Sequence, residues 1–164
     1  MRPGLPLVVE ERINECDYGE WTGRKLGDLG DEPLMATVQQ HPSAARFPGG
    51  ESMRDMQHRA VEAVRDWNGR IEDEHGPDAV YLMCSHGDVI KSLVADALGM
   101  HLDLFQRISV EPCSVTAIRY TPLRPFVLRL GETGDLRALA APGNDPAAVP
   151  GRAAGADAAV GGGA

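Results

Sequence analysis

Residues 79–90, AVYLMCSHGDVI, hold the pattern in this chain best suited to chemistry. An apolar run stops at Ser85-His86-Gly87, and a helix-like spacing of apolar residues begins at once. Ligands of open α/β sheets collect beyond the C-terminal ends of the strands. A helix starting there offers unpaired N–H groups and a partial positive charge. Gly87 lets the main chain turn closely, and His86 sets an imidazole beside those N–H groups. The combination suits an anion, and a phosphoryl group in particular. The plainer reading is a histidine that caps the helix or packs in a loop, and this stretch alone does not separate the two.

The elements that would position His86 can be read on either side of it. AVYLMC is apolar enough to predict a short buried strand. DVIKSLVADALG predicts a helix with Val89, Leu93, Ala97 and Leu98 inward and Gly99 at its C-terminal cap. Upstream, Met53, Met56, Ala60, Ala63, Val64, Trp67 and Ile71 recur at three- and four-residue steps, which predicts an amphipathic helix. Ser52 fits its N-cap, Asp55 its first turn, and Gly76-Pro77 its end. LPLVV predicts a short strand over 5–9, Lys25 to Leu29 a short helix, and DEPLMATVQQ a helix stopped before Pro42. HLDLFQRI predicts another short helix. CSVTAIRYT and FVLRLGE predict neighbouring antiparallel strands joined through PLRP. Helices alternating with strands point to a layered α/β domain.

Length and composition bound the function. The 164 residues fit one domain. A net charge of −8 argues against non-specific binding to nucleic acid or an anionic membrane. No apolar run approaches a membrane span, and the first residues carry charge too early for a signal peptide, so a cytoplasmic protein is expected. Cys16, Cys84 and Cys113 are scattered, as for reduced thiols rather than a zinc site or disulfide frame. From about Ala140 the chain is nearly all Ala, Gly, Pro and Asp, with nothing large to bury, which predicts a disordered tail.

Four segments, in order, resemble the histidine phosphatase superfamily, the phosphoglycerate-mutase-like enzymes. ERINECDYGEWTG is similar to the family's glutamate segment, and FPGGESMRDMQHRAVEAV to its P-G-G-E-S loop and following helix. CSHGDVIKSLVADALGM resembles the second-histidine motif, and EPCSVTAIRY the late strand. Among members, the bacterial phosphomutase-like branch is the nearest likeness. The resemblance implies an α/β fold, a three-layer phosphoglycerate-mutase-like sheet flanked by helices, over residues 1–140, with 141–164 as tail. It also implies phosphohistidine chemistry on a small phosphorylated substrate, with no cofactor and no metal. By position, Glu15 matches the acid that protonates the leaving oxygen and later activates water, with Glu20 as fallback. His86 matches the second pocket histidine, Tyr18 a substrate-contacting position, and Gly87 a main-chain contributor. Trp21 reads as packing.

The departure from the family is as plain as the match. The nucleophilic histidine of the family stands in an R-H-G segment, and this sequence contains none. Only fourteen residues precede Glu15, where the family places two strands with their helices and a further phosphate-binding arginine. His41, His58, His75 and His101 read as surface or capping histidines. The expectation is therefore an N-terminally truncated domain, inactive as it stands through loss of its nucleophile. Two functions remain open: a phosphatase or phosphomutase once an R-H-G segment is supplied, or a non-catalytic remnant that at most binds a phosphorylated ligand.

Overall fold

A computed structural model of the chain describes residues 7–134. The expected tail, and residues 5 and 6 of the first expected strand, lie outside the described residues. Four α-helices and one small sheet appear: α1 (Leu26–Leu29), α2 (Pro33–Gln40), α3 (Met53–His75), α4 (Gly87–Ala97), β1 (Val115–Arg119) and β2 (Phe126–Glu132). Short 3-10 turns fill the connections at Glu11–Ile13, Gly19–Trp21, Pro42–Ala44 and Leu102–Arg107.

α3 is the axis of the molecule, and its start is locked by a capping box. The Ser52 side chain accepts from the Asp55 N–H at 3.1 Å, and the Asp55 carboxylate accepts from the Ser52 N–H. Met53, Met56, Ala60, Val61, Ala63 and Val64 bury one face. Gly76, at φ +90°, ends the helix as the sequence predicts. α4 crosses this face: Val89, Val94 and Ala95 are fully buried, and the Gln57 side chain donates to the Ser92 carbonyl at 3.0 Å.

The core joins α3 and α4 to Trp21, Leu29, Phe47, Phe105 and Ile108. Trp21 and Tyr18 both meet Phe47 edge-on, at centroid distances of 5.5 and 5.0 Å. Aromatic pairs of this kind add about 0.5–1.5 kcal/mol each to the burial of their surface. Trp21, 3 % exposed, is thus a packing residue.

Three expectations need correction. Residues 79–84 run extended but join no ladder among the described residues, and they are not buried on both faces. Ala79, Tyr81 and Met83 are half-buried, whereas Val80 and Leu82 are 93 % and 75 % exposed. An apolar run becomes a strand only where a neighbour pairs with its N–H and C=O groups, and none does so among the described residues. Residues 7–9 likewise form no strand. Leu98 points outward, 51 % exposed, because α4 closes at Ala97 and Gly99 turns away at φ +63°. The expected antiparallel pair is present, with Val115 opposite Glu132 and Arg119 opposite Phe126. It is the one sheet among the described residues.

Candidate active site

Glu15 and His86 stand on two loops that the fold draws together. The Ser85 hydroxyl donates to the Ile13 carbonyl at 2.6 Å, tying the end of the extended run to the chain just before Glu15. His86 occupies the N-cap position of α4, yet its side chain makes no capping hydrogen bond. The capping role that competed for this residue is therefore not what the imidazole does. Gly87 and His86 are both exposed at the start of α4, where a helix leaves its first N–H groups without intrahelical partners.

The Glu15 carboxylate is half-buried and accepts from the Cys16 N–H at 2.9 Å. Burial pushes its pKa above the ordinary carboxylate value, and the negative charge of Asp88 pushes the same way. The Cys16 N–H, His86 and Arg59 pull against that rise without cancelling it. Such a carboxyl holds a proton more readily than one in water, which suits an acid that protonates a leaving oxygen. Glu20, the fallback, is exposed and lies against the 48–50 loop rather than toward His86.

Tyr18 is 8 % exposed, and its hydroxyl donates to Asp88 at 2.8 Å. Burial, then the nearby Asp88 carboxylate, holds the phenol far above its usual pKa, so it stays protonated. Asp88 also lies 3.9 Å from the Lys91 ammonium, itself nearly buried and hydrogen-bonded to Gln106 at 3.3 Å. The sequence reading did not single out Asp88. Its one signal there is a place in the first turn after His86, which any acidic residue at a helix start shares.

The loop carrying Glu15 is stitched to the P-G-G-E-S loop. Glu20 N–H donates to the Pro48 carbonyl at 2.9 Å, Glu51 N–H to the Asp17 carbonyl at 3.0 Å, and Asp17 N–H to the Glu51 carboxylate at 2.9 Å. Backbones approach so closely that a Cβ on Gly50 would stand 2.2 Å from the Asp17 carbonyl oxygen. On Gly19, which sits at φ +53°, a Cβ would stand 2.1 Å from that of Pro48. Glycine is the residue both places require.

His41, His58, His75 and His101 are all exposed, and His101 accepts from the Asp103 N–H at 3.2 Å as a local cap. Cys16 is buried, and burial pushes its thiol pKa well up, so it stays a neutral thiol. Among the described residues no three His, Cys, Asp or Glu side chains gather into a group that could hold a metal, and no helix is long and apolar enough to cross a membrane. A surface cavity of about 330 Å³ beside Arg54, Gln57, Asp96 and His101 is lined by neither Glu15, Tyr18, His86, Gly87 nor Asp88.

A carboxyl that favours its proton, an imidazole at an open helix start and a double-glycine stitch define a class. Residues 1–133 match the family model of the histidine phosphatase superfamily (branch 1), and the chain belongs to that superfamily. It is 24 % identical over 121 residues to a 2,3-bisphosphoglycerate-dependent phosphoglycerate mutase of Gloeobacter violaceus, covering 73 % of this chain and 54 % of that protein. It is 25 % identical over 132 residues to phosphoserine phosphatase 1 of Hydrogenobacter thermophilus, covering 79 % and 60 %. The solved structure of YhfR from Bacillus stearothermophilus superposes with a TM-score of 0.65 at 28 % identity, covering 75 % of this chain and 60 % of that one. The fold is thus of the histidine phosphatase type, with helices around a small sheet. The chain spans little more than half the length of the curated relatives it matches.

Proposed function

We propose that this chain carries the acid and anion-binding half of a phosphomonoester phosphatase or phosphomutase. The observation that supports this best is the meeting of Glu15 and His86 at the open start of α4, held by the bond from Ser85 to Ile13. In this reading the His86 imidazole and the Gly87 N–H hold the phosphoryl oxygens, and Tyr18 closes the pocket wall. A nucleophilic imidazole attacks phosphorus. The P–O bond to the alcohol breaks, and the departing oxygen takes the proton of Glu15. Water then attacks the phosphohistidine, giving its proton to the Glu15 carboxylate, and inorganic phosphate leaves. No metal takes part, and the substrate is a small phosphorylated compound in the cytoplasm.

The nucleophile is the group these 164 residues do not supply, since no R-H-G occurs among them. The second reading, a non-catalytic binder of a phosphorylated ligand, draws its support from that fact. Reading the in-frame codons upstream of Met1 for an R-H-G segment separates the two. Binding is tested on the chain as it is: inorganic phosphate is titrated in while the His86 imidazole and Gly87 amide signals are followed by NMR. Both should shift and saturate. His86→Ala should weaken the binding about 10-fold or more, the worth of a hydrogen bond to a charged group. Silence at both signals while phosphate is present in large excess would remove the anion site and the function with it.

A further inference from the structure

We infer that Arg59 is a positioning residue for Glu15, holding in place the loop that presents it, with Glu51 locking the guanidinium. Arg59 lies on α3, and its five N–H donors are all engaged. Nη1 donates to the carbonyls of Arg12 and Asn14 at 2.8 and 2.9 Å, and Nη2 to that of Glu15 at 3.0 Å. Nε and Nη2 also donate to the Glu51 carboxylate at 3.0 and 2.5 Å. Three main-chain carbonyls within four residues thus converge on one cation, and the last belongs to Glu15 itself.

Two features separate this role from simple ion pairing. A guanidinium with every donor spent has none left for a phosphoryl oxygen, so Arg59 does not bind substrate. Glu51 also accepts from the Asp17 N–H, so the one carboxylate grips both the clamp and the far side of the Glu15 loop. The Glu15 carboxyl is seated from its N-terminal side by Arg59 and from its C-terminal side by Glu51. Its own bond to the Cys16 N–H completes the seat.

The inference rests on the proposed role of Glu15 as proton donor, and its test uses a readout that does not depend on turnover. The Glu15 carboxyl carbon is titrated by 13C NMR in the full chain, in Arg59→Met and in Arg59→Lys. The titratable groups facing Glu15 are Asp88, His86, Arg59, Tyr18 and the Cys16 thiol. Removing the Arg59 charge alone would raise the Glu15 midpoint, because that charge favours the carboxylate. Losing the seat does the opposite, since burial is the main cause of the raised value and a released loop lets water in. The expected result in Arg59→Met is a fall toward the ordinary carboxylate range. A rise or no change overturns the inference. Should Arg59→Met not fold, Arg59→Lys carries the same test, because it keeps the charge and loses the fork. A fall there supports the seat and an unchanged midpoint refutes it. The phosphate response of His86 in the unmodified chain reads the proposed function separately, so either idea can fail without the other.

Discussion

The burial that suits Glu15 to donate a proton also weighs against folding. Its pKa is raised in the folded chain, so its favourable contribution is full below the unfolded value and is lost as pH rises through the folded one. Once ionised, the carboxyl is a liability. Glu15→Gln keeps an oxygen for the Cys16 N–H and removes the charge. It should melt higher than the native chain at pH above the raised titration range of Glu15, and the gap should close as pH falls through that range. Thermal melts across that range check this, and an equal or lower melting temperature at its alkaline end would contradict it. His86 and Glu15 can be proposed from the sequence because short motifs pick them out. Asp88, Arg59 and Glu51 cannot, since their roles arise from contacts across 70, 44 and 34 residues that no local spacing encodes.

At the level of elements, the two glycines in the stitched loops control the site more than any helix does. Gly50→Ala would drive a Cβ into the Asp17 carbonyl and force apart the loops that hold Glu15. A cost of about 3 kcal/mol or more is expected, at the upper end for overpacking, because main chain rather than a flexible side chain must move. Urea unfolding measures it, and a loss under about 1 kcal/mol would show that the loops can part freely. Gly50 carries no positive φ, so its clash is read directly, whereas Gly23→Ala, at φ +79° with no atom within 4 Å of the added Cβ, is the control for the same substitution at Gly19. The boundaries of α3 and α4 were readable because caps and apolar spacing are local. The state of residues 79–84 was not, because pairing depends on what lies alongside rather than on the run itself.

For the whole molecule, the extended run is the dominant surface feature. Leu7, Val9, Val80 and Leu82 are each at least 75 % exposed, on chain with no ladder partner among the described residues. Open edges with apolar side chains associate. The 164-residue chain should therefore self-associate as concentration rises. A Val80→Lys, Leu82→Lys double variant should shift it toward monomer with little change in melting temperature. Sedimentation velocity reads the result, and identical association in both proteins would mean another surface is responsible. The stitch has one more effect at this scale. Because Glu20 meets Pro48 and Trp21 meets Phe47, the chain leaves and re-enters the body at a single point. The chain between returns to the core at Leu29, Pro42 and Ala45, all fully buried, and the Ser43 N–H donates to Asp103 at 2.8 Å. The entropy of closing such a loop grows only with the logarithm of its length. The stretch between Leu29 and Pro42, which buries no side chain completely, should therefore tolerate lengthening or shortening that leaves the acid and the imidazole where they stand.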